Sequence, residues 1–319
     1  MNSPVQRSVL AVVVALCAAC SADSVFGVSE SGDWTPGTAA HDVVVGDLTR
    51  TFLLHVPAHY PKTSTGMRRS YSLIIVLHGS AGSADAIRHS SGMDSVSETY
   101  MTLVAYPNGT HGRSGLYPAD WNAGTCCGAA ARENIDDVGF IKAVIDRVSK
   151  QLPVDQKRIY IAGFSDGGRM AYHAACQLSS TIAAIGVVSG SLLDDHCTPA
   201  KSVALIAVHG TADDEVPYDD DALTSPPTAV PSTAMALPPS LQFWTSENGC
   251  STSSESRPSP HVLETTFSAC TGADVVFYGI QGGLHGWPGE PDGNGSEPPM
   301  SELHASDVVA KFFNQHFRR

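Results

Sequence analysis

The feature that most constrains this chain is a glycine-rich turn between an apolar strand pattern and a helical pattern. It runs from Gly163 to Gly168 with the sequence Gly-Phe-Ser-Asp-Gly-Gly. A serine in so tight a turn is forced into strained backbone angles, and side chains two positions either side of it would collide. Gly163 and Gly167 remove those collisions, and Gly168 lets the helix begin close to the strand. The pattern predicts a strand, a sharp turn that carries Ser165, and a helix.

Strand-length apolar runs alternate with helical patterns along most of the chain. The runs lack polar alternation, which is typical of central strands covered on both faces of a parallel sheet. Alternation of strand and helix predicts an α/β fold with right-handed crossovers. We predict eight strands and four helices, the strands at 43–45, 51–56, 73–77, 102–106, 158–162, 183–188, 203–208 and 275–278, and the helices at 134–152, 167–178, 240–248 and 301–316.

The beginning of the chain has the pattern of a secretory leader. A basic residue precedes an apolar stretch at 9–19, and small residues follow it. We predict a signal peptide at 1–22, a Ser/Gly/Thr-rich tether at 23–40 and one domain at 41–319. Cys20 resembles the lipidated cysteine of bacterial lipoproteins, although Cys17 stands where such sequences usually carry an aliphatic residue. The expected location is therefore secreted or cell-surface, with Cys20 as a candidate lipid anchor.

An even number of cysteines follows the predicted leader, and in an exported chain this predicts disulfides. Cys250 and Cys270 flank a polar stretch and are a candidate local pair. Cys126 and Cys127 are expected to bond to other partners, because a ring between neighbours is strained. Zinc is the alternative, but no Cys-x-x-Cys pair or histidine spacing supports it, so no metal site is predicted. The six cysteines are Cys126, Cys127, Cys176, Cys197, Cys250 and Cys270.

The chain is acidic. It has 19 Lys and Arg against 32 Asp and Glu, for a formal net charge of −13. Without a basic cluster it is a poor candidate for binding nucleic acid or anionic membranes, and nucleic acid is excluded as a partner. No protein partner is implied.

A serine hydroxyl is a weak nucleophile and needs a base, which in turn needs an orienting carboxylate. With a serine in a strand–turn–helix setting the expected chain order is Ser, then Asp or Glu, then His. Asp213, Asp214 and Glu215 directly follow the predicted strand at 203–208, and on spacing alone each is a candidate carboxylate. His285 lies in a glycine-rich loop after the last predicted strand and is the candidate base.

A second glycine-containing loop, His-Gly-Ser-Ala-Gly, begins at His78 directly after a predicted strand. The backbone N–H of Ser80 and that of Asp166 are the candidate oxyanion donors, and each such donor is typically worth about 3–4 kcal/mol. His78 is expected to brace this loop. His209 ends a predicted strand and is expected to be an interior hydrogen-bonding residue, not the base.

Taken together, these motifs resemble the polyhydroxybutyrate depolymerase/feruloyl esterase family of secreted α/β-hydrolases. The match spans most of the chain from about residue 70 to 289, in the family's order. The matching stretches are Val-Leu-His-Gly at 76–79, Tyr-Pro-Asn-Gly at 106–109, Trp-Asn-Ala-Gly at 121–124, Cys-Cys-Gly at 126–128, Ile-Asp-Asp-Val-Gly-Phe at 135–140, the turn at 163–168, His-Gly-Thr-Ala-Asp at 209–213, Val-Pro-Tyr at 216–218 and His-Gly-Trp-Pro-Gly at 285–289.

The resemblance selects Asp213 over its neighbours and supports His285, although Gly286 stands where the family often carries a hydroxyl residue. It makes Trp121 and Trp287 candidate substrate contacts near the mouth of the site. The family's cysteines match as well, which favours disulfides. The implied fold is an α/β-hydrolase with about eight mostly parallel strands and helices on both faces.

The implied function is a secreted serine esterase that acts through Ser165, His285 and Asp213 and an acyl-enzyme, with no metal or organic cofactor. Its expected substrates are small or oligomeric esters: hydroxyalkanoate oligomers, feruloyl esters or short acyl esters. Two alternatives remain open, an acyltransferase on the same triad and a non-catalytic surface protein that binds glycan or polymer. A Pro/Ser/Thr-rich insertion at 219–239 is a candidate partial lid, with a surface loop favoured.

Overall fold

The computed structural model describes residues 34–60, 70–194, 196–219, 237–290 and 295–318. The predicted leader with Cys20, the first part of the predicted tether and nearly all of the 219–239 insertion lie outside these residues. Within them, no helix combines the length and apolar character needed to cross a bilayer.

Ten strands form one sheet, two more than the sequence predicts. Six of them, β4, β3, β5, β6, β7 and β10, run parallel in the centre, and antiparallel pairs flank them on both sides in the order β1-β2-β4-β3-β5-β6-β7-β10-β9-β8. The strands are β1 (Gly37–Val45), β2 (Leu48–Val56), β3 (Tyr71–Leu77), β4 (Leu103–Pro107), β5 (Val154–Phe164), β6 (Ala184–Val188), β7 (Ala204–Gly210), β8 (Thr252–Ser259), β9 (Val262–Ser268) and β10 (Val275–Ile280).

Helices connect the parallel strands and cover both faces of the sheet. They are α1 (Ala84–Ser91), α2 (Met93–Tyr100), α3 (Gly128–Arg132), α4 (Asp137–Gln151), α5 (Asp166–Leu178), α6 (Pro239–Glu247) and α7 (Ala305–Gln315), with a 3₁₀ turn at Met300–Glu302. The sequence pattern predicted α4, α5, α6 and α7 to within a few residues, and it predicted none of α1, α2 and α3.

The apolar core lies in two layers, one on each face of the sheet. Strand β3 is buried along its whole length and divides its side chains between them: Leu73 and Ile75 point into the layer formed with α4, α5 and α6, whereas Ile74 and Val76 point into the layer formed with α1, α2 and α7. This two-sided burial is the physical reason for the unalternating apolar run in the sequence.

The differences from prediction lie at the edges of the sheet. Strand β1 begins at Gly37, so the tether predicted to continue to residue 40 is wrong at its end. The β8–β9 hairpin was not predicted, because β8 has the polar sequence Thr-Ser-Ser-Glu-Ser-Arg-Pro-Ser and is exposed along almost its whole length. Its place in the sheet comes from pairing with β9, which in turn pairs with β10.

The six cysteines form three pairs. Cys250 pairs with Cys270, as predicted, and Cys176 pairs with Cys197. Cys126 and Cys127 pair with each other, so the expectation that each would bond elsewhere is wrong. The other four cysteines are already paired among themselves, which leaves these neighbours as partners.

A buried ion pair joins the loops that carry several of the sequence motifs. A guanidinium nitrogen of Arg50 in β2 lies 2.7 Å from Asp137 Oδ1, and Asp137 Oδ2 accepts the N–H of Asn122 at 2.7 Å. Arg50 also donates to the carbonyl of Asn108 at 3.1 Å and stacks over the ring of Phe140. Burial raises the pKa of Asp137, and the Arg50 charge opposes that rise. The cluster fixes the motif loops to the sheet.

Candidate functional site

Ser165 lies at the turn between β5 and α5, where the sequence predicts it. Its backbone has φ 54° and ψ −121°, a strained conformation for a residue with a side chain. Its N–H donates to the carbonyl of Val188 at 3.0 Å, and its carbonyl accepts from the N–H of Arg169 at 3.0 Å. Neighbouring β6 and the first turn of α5 therefore hold the serine in this conformation.

The glycines around Ser165 leave no room for side chains. A Cβ on Gly163 would collide with the carbonyl of Gly167, and a Cβ on Gly167 would collide with the carbonyl of Leu77 in β3. The structure thus confirms the physical reason for glycine at both positions.

His285 and Asp213 come together although 72 residues separate them. The imidazole Nδ1 lies 3.0 Å from Oδ1 and 2.9 Å from Oδ2 of Asp213. Because a carboxylate only accepts, Nδ1 carries a proton, which leaves Nε2 as the nitrogen that can act as a base. The ring of His285 packs against that of Phe164, with 4.7 Å between centroids, and so lies beside the residue that precedes Ser165.

The carboxylate of Asp213 is buried and saturated with donors. Its Oδ1 accepts the N–H groups of Glu215 at 3.1 Å and Val216 at 2.9 Å, and Nε2 of His209 lies 3.4 Å from Oδ2. Burial alone would raise the pKa of Asp213, but hydrogen bonds from His209 and His285 and from the Val216 amide outweigh it and hold the pKa well below its usual range. Asp213 is ionised at neutral pH.

The two other candidate carboxylates are placed differently. Asp214 and Glu215 are exposed at the surface. Glu215 points its Oε2 to within 3.8 Å of His285 Nε2, on the opposite side of the ring from Asp213. Of the three candidates on spacing, the structure pairs only Asp213 with Nδ1 of His285.

The loop after β3 passes directly against the serine: an added Cβ on Gly79 would lie 3.1 Å from Ser165 Cβ. Next to it, the hydroxyl of Ser80 donates to Asp120 Oδ1 at 2.7 Å, and the N–H of Ala81 donates to the carbonyl of Ala119 at 2.8 Å. These bonds fix the loop on which the candidate donor Ser80 lies.

His78 braces the same loop, as the sequence predicts. Its Nε2 accepts the N–H of Gly109 at 2.8 Å, so the proton is on Nδ1, which donates to the carbonyl of Gly79 at 2.7 Å. Burial lowers the pKa of His78 to about 4. His78 is therefore neutral at physiological pH, and both of its ring nitrogens are hydrogen-bonded to backbone groups.

Asp166, the other candidate donor, is the first residue of α5, where backbone N–H groups have no carbonyl partner within the helix. Its side chain forms an ion pair with Arg169 at 2.7 Å. Burial raises the pKa of Asp166, and the guanidinium of Arg169 opposes the rise.

The Cys126–Cys127 pair lies against this ion pair. Both sulfur atoms and an oxygen of Asp166 lie within 4.8 Å of one another, and Cys126 Sγ is 3.9 Å from a guanidinium nitrogen of Arg169. The sulfurs are bonded to each other and are not free thiolates for a metal. Neither Arg169 nor the disulfide was predicted as a neighbour of Ser165; the position of the arginine, one turn after the serine, was the available signal.

The two tryptophans proposed as substrate contacts are interior residues. Trp121 is 0% exposed and donates its indole N–H to the carbonyl of His78 at 2.8 Å. Trp287 is 3% exposed and donates to the hydroxyl of Ser306 at 2.9 Å. Both rings are therefore buried rather than open to a substrate, unlike the substrate contacts that the resemblance implies, and each indole N–H is used in a hydrogen bond within the protein.

The mostly parallel sheet, the helices on both faces and the serine in a strained strand-to-helix turn define an α/β-hydrolase, which confirms the predicted fold class. The family described as esterase PHB depolymerase matches residues 57–231, and the chain belongs to this family. It is a carboxylic ester hydrolase.

Individual relatives and solved structures agree. The chain is 28% identical over 270 residues to NocK of Nocardia uniformis subsp. tsuyamanensis, a protein named as an esterase, covering 79% of this chain and 74% of that protein. It is 30% identical over 231 residues to feruloyl esterase B of Piromyces equi, covering 71% of this chain and 41% of that protein. Its fold is similar to that of acetyl xylan esterase from Aspergillus awamori, with a TM-score of 0.56, 13% identity and coverage of 86% of this chain and 99% of that chain.

Proposed function

We propose that this protein is an exported serine esterase in which Ser165, His285 and Asp213 form the catalytic triad. The observation that carries the proposal is the bond from His285 Nδ1 to the buried carboxylate of Asp213, at 2.9 Å, with the imidazole packed beside the residue before Ser165. This arrangement supports a tautomer with the proton on Nδ1, in which Nε2 is the basic nitrogen that a general base requires.

In the proposed reaction, Ser165 Oγ attacks the ester carbonyl while His285 Nε2 takes its proton. The tetrahedral intermediate collapses, the ester C–O bond breaks, and the imidazolium returns the proton to the departing alcohol oxygen. Water then attacks the acyl-enzyme by the same route in reverse and releases the carboxylic acid. Asp213 stays ionised and stabilises the imidazolium.

The negative charge that develops on the carbonyl oxygen needs donors. We assign these to the backbone N–H groups of Ser80 and Asp166, each worth about 3–4 kcal/mol of transition-state stabilisation. In support of this, the loop at Gly79 packs against Ser165 and the Ser80 side chain is tied to Asp120. The site needs no metal or organic cofactor for this chemistry.

The proposed substrates are feruloyl esters, short acyl esters and hydroxyalkanoate oligomers. Family membership and the similarity to feruloyl esterase B support this set. Export is supported by the leader pattern and by three disulfide pairs in the described residues, since disulfides persist in oxidising compartments.

The test compares wild type with Ser165→Ala in hydrolysis of p-nitrophenyl butyrate. We expect the variant to lose at least about a thousandfold in kcat, because the nucleophile is gone and only binding and the oxyanion donors remain. Ser254→Ala, in exposed β8, is the matched control and should keep wild-type turnover. A fluorophosphonate should label wild type and not Ser165→Ala. Equal turnover by the two proteins would exclude Ser165 as the nucleophile.

A further inference from the structure

Glu215 is placed to act on the alcohol part of the ester. We infer that its carboxylate selects this part, favouring uncharged alcohols with several hydroxyl groups over alcohols that carry a carboxylate. The inference rests on the proposed function, and it separates two of the proposed substrate classes: feruloyl esters whose alcohol is a sugar, and hydroxyalkanoate oligomers.

The position of Glu215 is fixed by the carboxylate it follows. Its N–H donates to Asp213 Oδ1 at 3.1 Å, and the next residue, Val216, donates to the same oxygen at 2.9 Å. The backbone is thus anchored to the proposed triad while the side chain remains 70% exposed. From there Oε2 reaches to 3.8 Å from Nε2 of His285.

Nε2 is the atom that must hand a proton to the departing alcohol. When the ester bond breaks, the alcohol oxygen therefore lies within hydrogen-bond reach of Nε2. The rest of the alcohol extends from that oxygen, and among the described residues the exposed carboxylate of Glu215 lies 3.8 Å from the same nitrogen. At this moment the acyl part is bound to Ser165 Oγ and no longer to the departing oxygen, so the group next to Nε2 is the alcohol.

Charge decides which alcohols fit. Two negative charges about 5 Å apart in a water-like surrounding repel enough to change a rate by about fourfold. The cation described beside the turn, Arg169, is already paired with Asp166 at 2.7 Å. A carboxylate accepts hydrogen bonds from hydroxyl groups, so a sugar or another polyol gains contacts where a hydroxyacid meets repulsion.

The experiment measures the initial rate of butyrate release, which proceeds through the same butyryl-enzyme, from three esters: glycerol monobutyrate, 3-butyryloxybutyrate and the methyl ester of the latter. Because deacylation is common to all three, differences in kcat/KM report on binding and acylation. We expect wild type to cleave the methyl ester about fourfold faster than the free acid. In Glu215→Gln this ratio should fall to about one, and kcat/KM for glycerol monobutyrate should fall by about two- to fivefold.

Glu255→Gln, the same change on exposed β8, should leave all three values at the wild-type level. Raising the ionic strength should shrink the wild-type preference, because the glutamate is exposed to salt. An unchanged ratio in Glu215→Gln would overturn the inference while leaving the esterase intact. Absence of wild-type turnover on all three esters and on p-nitrophenyl butyrate would overturn the proposed function and the inference together.

Discussion

Nε2 of His209 lies 3.4 Å from Oδ2 of Asp213, the oxygen that also receives Nδ1 of His285 at 2.9 Å. One carboxylate is therefore held between two imidazoles. Nε2 of His209 also donates to the carbonyl of Val216 at 2.8 Å, across the turn whose amides bind the other oxygen of Asp213. His209 thus fixes both the turn and the carboxylate that orients the proposed base.

This relationship predicts that His209→Gln slows turnover without weakening substrate binding. A lost hydrogen bond to a charged group costs about 1.5–3 kcal/mol, so kcat should fall by about 10- to 100-fold with KM nearly unchanged. His261→Gln, which removes an exposed histidine–carboxylate pair with Glu302, should leave kcat unaltered. If kcat does not change, or if only KM changes, His209 has no positioning role.

Acid should destabilise the protein through His78. Its pKa of about 4 in the folded state lies below the 6.5 of an unperturbed histidine. Between these values the unfolded chain binds a proton that the folded chain does not, so stability is lost as the pH falls through this window, by roughly 3 kcal/mol at most. Asp213 affects stability at a lower pH. Because its pKa is depressed in the folded state, its contribution to stability is lost only as the pH falls below about 4.

The check is urea unfolding of wild type and His78→Asn at pH 7 and pH 5. The variant should be less stable at pH 7, since it loses bonds to the backbone, but its stability should change less between the two pH values. Equal pH dependence of the free energy of unfolding in the two proteins would contradict the assignment.

We expect the loss of either Arg50 or Asp137 alone to destabilise the protein strongly. Removing one partner leaves a buried charge without its counter-charge, which typically costs about 3–5 kcal/mol. Arg50→Met and Asp137→Asn should each lower the free energy of unfolding by roughly 3 kcal/mol, and the double variant should lose clearly less than the sum. Lys142→Met, which breaks an exposed pair with Asp146, should cost under about 0.5 kcal/mol. Additive losses at Arg50 and Asp137 would show that they do not interact.

We expect the Cys250–Cys270 disulfide to contribute mainly to stability and the Cys126–Cys127 disulfide mainly to activity. Cys250 and Cys270 are 20 residues apart, and a loop of that length predicts about 3 kcal/mol of stabilisation through the unfolded chain. The Cys126–Cys127 pair encloses no intervening residues, so it constrains the unfolded chain little. It nevertheless contacts the Asp166–Arg169 ion pair beside Ser165.

Replacing Cys250 and Cys270 together by serine should therefore lower Tm and leave kcat/KM at 25 °C nearly unchanged. The same replacement of Cys126 and Cys127 should lower kcat/KM by about tenfold, since small displacements at a catalytic site are costly, with a smaller change in Tm. The reverse pattern would show that the adjacent pair has no influence on the site.

The sequence predicted the strands that are buried on both faces by helices. It missed strands and short helices whose positions depend on pairing or packing with a neighbouring element. Strands such as β3, with seven buried positions, must be apolar on both faces, and this is visible without a structure. In β8 the side chains are polar because they are exposed, so nothing in the pattern marks a strand. Helices α1 and α2 are eight residues each and bury three side chains apiece, too few for a clear periodicity.

The candidate site was predictable where motif and strand end coincide. Ser165, Asp213 and His285 each follow a strand, so their placement at the same edge of the sheet follows from the fold class. The contacts of Arg169, of the Cys126–Cys127 pair and of His209 depend on how the loops pack over that edge. The burial of Trp121 and Trp287 could not be predicted either, because a family resemblance gives position in the chain and not the direction of a ring.

The polar outer strand β8 affects how the protein behaves at high concentration. The last strand of an open sheet leaves a row of backbone N–H and C=O groups with which a second molecule can align. In β8, Glu255 and Arg257 carry charge into that row, and Pro258 has no N–H to offer. A foreign strand would have to desolvate those charges and forgo a hydrogen bond, so this margin of the sheet resists intermolecular extension and aggregation.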